Sequence, residues 1–151
     1  MPTNPTVTIL GAGALGSAMA ERLGATGHGV RLWNRTAERA REAAGRMTGV
    51  TPVDGVGDAV AGSSAVLTVL RDGGAVAEVM ADALPRMDHD AVWIQASTVG
   101  PDQARLLADL ARGDQVGYLD APVSGSTAPA RQGTLVWLVA GEPAVLDRVR
   151  P

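Results

Sequence analysis

The chain contains no cysteine, so a disulfide, a thiol nucleophile and a cysteine-type metal site are all excluded. It contains no lysine either: all 13 of its Lys/Arg positions are arginine. The two histidines, His28 and His89, sit in turn-like settings and share no ligand spacing, so no metal site is expected. No apolar run approaches the ~20 residues that a membrane-spanning helix needs. The first residues, Met1-Pro2-Thr3-Asn4-Pro5, lack the basic and apolar regions of a signal peptide, which makes a cytoplasmic location the expectation. A net charge of −3 gives no broad basic field, so neither nucleic acid nor an anionic membrane is an expected partner. What remains is ordinary for one globular domain with a proper core: 151 residues, 46% hydrophobic and 19% charged.

Against that background one stretch stands out, Val7-Thr8-Ile9-Leu10-Gly11-Ala12-Gly13-Ala14-Leu15-Gly16. An apolar strand runs into G-x-G-x-x-G and then into a helix whose Leu15, Met19 and Leu23 recur at helical spacing, ending near Gly24 or Gly27. A bare glycine motif is weak in a chain with 19 glycines. Here a second strand, Gly29-Val30-Arg31-Leu32-Trp33, follows at once and completes a βαβ unit. In such a unit Gly11 permits the tight turn, Gly13 lets backbone approach a pyrophosphate, and Gly16 lets helix pack on strand. The helix N-terminus, with Ala12, Ala14 and Leu15 around it, adds N–H donors and partial positive charge. The alternative is a glycine-rich turn with no ligand.

The end of the second strand bears on which dinucleotide is bound. An NAD site usually carries Asp or Glu there, on the ribose 2′-hydroxyl. This chain has Asn34, Arg35 and Thr36. A carboxylate repels a 2′-phosphate, whereas the planar fork of an arginine fits one. The expected cofactor is therefore NADP(H), preferred over NAD(H), with Arg35 and Thr36 on the 2′-phosphate. The competing reading makes Arg35 a solvated residue at a helix start.

The remaining sequence keeps alternating. Helical segments are expected over residues 37–46, 58–62, 72–84 (with Asp72 as N-cap), 101–111 (Pro at its start) and from 142 onward. Strands are expected at 50–51, 65–70, 91–95, 116–119 and 135–139. The apolar run at 65–70 suits a strand covered on both faces. Alternating β and α with short connections implies a Rossmann-type, doubly wound, mostly parallel sheet in three α/β/α layers, with ligands at the carboxyl ends of the strands.

Several segments resemble the β-hydroxyacid dehydrogenases, a family that includes 3-hydroxyisobutyrate dehydrogenase, tartronate semialdehyde reductase and, more distantly, 6-phosphogluconate dehydrogenase. They are the glycine motif, Gly27-His28, Asn34-Arg35-Thr36, Ser97-Thr98-Val99 and Asp120-Ala121-Pro122-Val123-Ser124-Gly125 with Gly133-Thr134-Leu135. They run in the family's order over nearly the whole chain. Trp33-Asn34-Arg35-Thr36 and the segment from Pro122 through Ser126, Pro129 and Gly133 look like the glyoxylate and succinic semialdehyde reductase branch, which uses NADPH. The resemblance implies that Ser124, Gly125 and Ser126 hold the carboxylate of a small substrate, a role for which a short Gly/Ser loop has the donors. A plain structural turn is the other reading of that loop. Leu70, Arg71 and Thr98 fall where the family flanks the nicotinamide. The chain departs from the family at Arg71, where a small residue or proline is common, at Gln95-Ala96, where Asp-Met is usual, and at Ser126 and Pro129, where glycine is. Asp120 is expected to fix its loop rather than to act as an acid.

In this family the proton donor is a lysine in a second, all-helical domain. With no lysine, the chain has no catalytic residue of that kind. Residues 1–151 are expected to be the NAD(P)-binding domain alone, with the helical domain absent and Pro151 near the start of the connection to it. General acid–base help is typically worth about 10²–10⁴-fold, so the chain is expected to bind cofactor and turn over poorly. Self-association is expected to run mainly through the helical domain. Three functions stay in view: the cofactor domain of an NADPH-dependent reductase of small semialdehydes, hydroxyacids or 2-oxoacids; that of an imine reductase; and a non-catalytic dinucleotide-binding or scaffold module.

Overall fold

The computed structural model describes residues 5–150. Residues 1–4, most of the stretch inspected for a targeting signal, and residue 151 lie outside the described residues.

The chain alternates strands and helices in the order β1 (Thr6–Leu10), α1 (Ala14–Ala25), β2 (Gly29–Trp33), α2 (Ala37–Ala44), β3 (Val50–Pro52), α3 (Val56–Val60), β4 (Ala65–Thr68), α4 (Gly73–Ala83), β5 (Val92–Gln95), α5 (Pro101–Gly113), β6 (Gly117–Asp120), β7 (Val123–Ser124), α6 (Thr127–Gln132), β8 (Val136–Trp137), β9 (Ala140–Gly141) and α7 (Pro143–Asp147). Seven strands form one sheet in the order β3-β2-β1-β4-β5-β6-β9. Every neighbour pair from β3 to β6 is parallel, and β9 closes the far edge antiparallel to β6. The doubly wound, mostly parallel sheet expected from the sequence is the one observed.

Side-chain alternation builds a core on each face. Val7, Ile9, Val30, Leu32 and Leu67 face α1, α2 and α6 through Ala18, Met19, Ala40 and Ala130. Leu10, Trp33, Val66 and Trp93 face α3, α4 and α5 through Val60, Val76, Met80 and Leu107. Burial on both faces explains the uninterrupted apolar run of β4, all four of whose residues are buried. The polar Thr8 is accommodated because its hydroxyl donates to the Ala59 carbonyl at 2.5 Å and lies 2.7 Å from Ser63 Oγ.

Two regions differ from the sequence expectation. The strand expected over 135–139 is divided: β8 pairs antiparallel with β7 in a separate two-stranded ribbon, and β9 returns to the main sheet. Gly141, at φ +159°, lies against Leu119, where a side chain would collide. Helix α6 was not anticipated at all. Pro129 disguises it, yet the residue falls in the first turn, where no backbone N–H is needed. Buried Ala130 seats α6 in the core beside α1, and Arg131 pairs with Glu21 of α1 at 2.8 Å. Asp72 caps α4 as expected, accepting from the Ala75 N–H at 2.8 Å. Among the described residues no helix is long and apolar enough to cross a membrane.

Candidate functional site

Sheet order reverses between β1 and β4, and the crevice at that switch point opens at the carboxyl ends of the strands. It has a volume of about 370 Å³ and is lined by Gly13, Ala14, Leu15 and Gly16 on one side, by Leu70, Arg71 and Thr98 on another, and by Gly125. These eight residues, scattered over 113 positions of sequence, are all among those expected to touch cofactor or substrate.

The glycine loop has three distinct reasons for its composition. Gly11 has φ +125°, and a Cβ there would run into the Val69 carbonyl, just past the end of β4. A Cβ on Gly16 would strike the Gly11 carbonyl, so helix and turn could not close. At Gly13 a Cβ would meet nothing within 4 Å. The fold therefore does not demand that third glycine; the open space above it is where a phosphate would come. Gly13 is the N-cap of α1, with no side-chain cap and no acidic residue in the first turn. The N–H groups at Ala14, Leu15 and Gly16 precede the helical hydrogen-bond ladder, so they are free for an anion. The residues present fit a dinucleotide pyrophosphate.

Asn34 serves the loop from below. Its Oδ1 accepts from the Ala12 N–H at 3.0 Å, and its Nδ2 donates to the Thr36 carbonyl at 3.1 Å. With the Gly11 N–H donating to the Trp33 carbonyl at 2.8 Å, the end of β2 and the glycine turn form one clamped unit. Arg35 and Thr36 follow, both exposed, at the start of α2. Thr36 is the N-cap residue but its side chain makes no capping bond. Arg35 Nη2 donates to Glu78 Oε2 of α4 at 2.8 Å. Nothing in the sequence spacing signals that second contact.

A buried polar network fixes the opposite wall. The Trp93 Nε1–H donates to Thr68 Oγ1 at 3.0 Å, and Thr68 Oγ1 donates to Gln95 Oε1 at 3.2 Å. Gln95 Oε1 also accepts from the Ser97 N–H at 2.8 Å, and its Nε2 donates to the Ser97 carbonyl at 2.9 Å. Ser97 Oγ accepts in turn from the Leu70 N–H at 2.8 Å. Gln95, which departs from the resembled family, thus acts as a staple between β4 and β5 behind Leu70 and Thr98. Its amide also approaches Asp120 at 3.5 Å. Burial raises the Asp120 pKa, and the Gln95 contact partly opposes that. Tyr118, edge-on to Trp93 with centroids 4.8 Å apart, has its pKa raised by burial and by the Asp120 charge.

The substrate-loop residues are divided. Gly125, at φ +134°, lines the crevice, and a Cβ there would press on Leu135. Ser124 and Ser126 stand beside it, exposed and outside the lining. Arg71 is exposed and pairs with Asp72 at 3.2 Å. Sequence reasoning missed Val69, Ala96, Ser97 and Val123 as further wall residues. Val69, Ala96 and Ser97 directly follow the ends of β4 and β5, and Ser97 and Val123 lie within the segments that carry the resemblance, though neither was singled out as a contact. A larger apolar groove of about 830 Å³ lies on the α1 face and reaches the amino ends of β1 and β4; it shares no residue with the crevice. Among the described residues no group of three or more His, Asp or Glu is placed to hold a metal ion.

The family described as the NAD binding domain of 6-phosphogluconate dehydrogenase matches residues 6–151. The chain superposes on the structure of Mycobacterium tuberculosis 3-hydroxyisobutyrate dehydrogenase with L-serine at a TM-score of 0.91 and 32% identity, covering 98% of this chain and 50% of that one. It is 31% identical over 150 residues to the NAD-dependent L-serine dehydrogenase of Pseudomonas aeruginosa, covering 96% of this chain and 49% of that protein. A reductive aminase from Aspergillus terreus in complex with NADPH is 28% identical at a TM-score of 0.72, covering 84% of this chain and 43% of that one. The chain spans about half the length of the relatives it matches. The family match over nearly the whole chain, together with the shared fold, shows that the chain belongs to the family of 6-phosphogluconate dehydrogenase NAD-binding domains.

Proposed function

We propose that this chain is the cofactor-holding domain of an NADPH-dependent oxidoreductase that acts on a small hydroxyacid, semialdehyde or 2-oxoacid. The observation that carries the reading is the end of β2. Arg35 and Thr36 are exposed beside the clamped glycine turn, and no carboxylate occupies the position that reads a 2′-hydroxyl. Gly13 and the first-turn N–H groups of α1 would hold the pyrophosphate, Arg35 and Thr36 the 2′-phosphate, and Leu70, Arg71 and Thr98 the nicotinamide end. The bound nicotinamide would supply or accept the hydride. Gly125, with Ser124 and Ser126, would offer donors to a substrate carboxylate next to it. The M. tuberculosis structure was solved with L-serine, a small carboxylate, which supports that substrate class. The domain division, with residues 1–151 binding cofactor and a helical partner domain supplying a lysine, belongs to the same proposal.

Calorimetric titration of the chain with NADPH and NADH tests it. We expect NADPH to bind at least about tenfold more tightly, since a charge-assisted arginine–phosphate contact is worth about 1.5–3 kcal/mol. Arg35→Ala should remove most of that difference and leave NADH nearly unchanged. Equal affinities in the unaltered chain would overturn the NADPH reading.

A further inference from the structure

We infer that Glu78 is a specificity-determining residue that works against the 2′-phosphate and so limits how far this site favours NADPH. The inference rests on the NADPH reading of Arg35 above. Glu78 lies on α4, 43 residues along the chain from Arg35, and is brought to it by the fold alone. The pair is exposed, with 57% of the Arg35 side chain and 69% of the Glu78 side chain accessible. It is the one hydrogen bond that either side chain makes among the described residues. Among the described residues no other side chain forms an ion pair with either group.

A phosphate reaching the Arg35 guanidinium must share it with the Glu78 carboxylate. A phosphomonoester carries a charge of about −1.5 to −2 at neutral pH, and two anions on one guanidinium lie within a few ångströms of each other. Arg39, the nearest cation along α2, is exposed and makes no ion pair among the described residues, so it is open to a phosphate, whereas the next one gives no relief. Arg41 is already engaged by Glu38 at 3.2 Å and by Asp54, and those carboxylates hold its pKa above the ordinary arginine value. Breaking an exposed ion pair costs little in itself, so the main effect of Glu78 is repulsion of the incoming phosphate. NADH has a neutral 2′-hydroxyl and does not meet that repulsion. Glu78 therefore acts on one cofactor and spares the other.

The test is titration of the unaltered chain, Glu78→Gln and Arg35→Ala with NADPH and with NADH. Glu78→Gln keeps the size and the helix propensity of an exposed position, so the fold is not at stake. We expect it to tighten NADPH roughly three- to tenfold at low ionic strength and to move NADH less than about twofold, with the gain shrinking as salt rises. Loss of NADPH affinity in Arg35→Ala together with an unchanged or weakened NADPH affinity in Glu78→Gln would overturn the role of Glu78 while leaving the NADPH reading in place. NADPH affinity untouched by Arg35→Ala would overturn the reading itself. An equal gain for NADH and NADPH in Glu78→Gln would also defeat the inference, since it would show a general effect on the crevice.

Discussion

Gly13 and Gly16 are separated by one turn of the same loop, and what excludes a side chain differs between them. At Gly16 the obstacle is the backbone of Gly11; at Gly13 the chain itself offers none. The Gly13→Ala chain should keep its unfolding free energy, read by urea titration, within about 0.5 kcal/mol of the original, as unstrained surface changes do. Its dinucleotide affinity should fall at least tenfold, because the methyl occupies the phosphate approach. Gly16→Ala should instead lose about 1–3 kcal/mol or more of stability, since overpacking against backbone cannot relax through a rotamer. Equal stability losses in both variants would show that Gly13 is held by packing after all. The G-x-G-x-x-G spacing was legible in the sequence, but this division of labour was not, because it depends on which atoms the sheet brings over each Cα. Asn34 makes the same point. Read as a candidate cofactor contact, it spends both ends of its amide on Ala12 and Thr36.

At the scale of elements, β4, β5 and β6 meet at their carboxyl ends in a polar cluster rather than an apolar one. Asp120 closes β6 beside Gln95, and burial makes its charged form costly there. A carboxyl whose folded pKa lies above its unfolded value binds more protons in the native state. Its contribution is fully present below the unfolded pKa and is lost as pH rises through the raised folded one. Asp120→Asn removes that dependence. The variant should therefore gain stability relative to the unaltered chain as pH is raised from about 3 to 7, and the two urea midpoints should converge at the acid end. A stability difference that is constant across that range would remove Asp120 from the account. The elements that could be read directly were those with long, regular patterns: β1, α1 and β2 carry an apolar run, a helical stripe and another run. Segments whose partner is remote or small could not be read this way. The division of 135–139 depends on β7, a two-residue strand that no local pattern marks. The exposure of Val136 and Leu138, 58% and 61%, shows why alternation gave no guide.

At the scale of the whole molecule, the described residues gather a dinucleotide-sized crevice at one end of the sheet. The order β3-β2-β1-β4-β5-β6 places every glycine, donor and wall residue of the crevice on the carboxyl side of one sheet, so the fold supplies a binding surface from elements far apart in sequence. Among the described residues lining that crevice, Arg71 is the one with a charged side chain. The two titratable groups with raised pKa near this end of the sheet, Asp120 and Tyr118, are not among the lining residues. A crevice built this way has the shape to take a nicotinamide, and among the described lining residues it offers no carboxylate, imidazole or amine as a general acid or base. We therefore expect saturating NADPH to stabilise the chain by mass action, by about 2.7 kcal/mol at a hundred times its Kd, read as a rise in melting temperature. We expect the same chain to reduce glyoxylate or succinic semialdehyde at least about 10²–10⁴-fold more slowly than a two-domain relative assayed alongside it, the range that a positioned acid–base group supplies. Both measurements use one preparation. A thermal shift without turnover is what a holding domain should give. Turnover matching the relative's would mean that a proton donor reaches the crevice from this chain, with Tyr118 and Asp120 the first residues to replace.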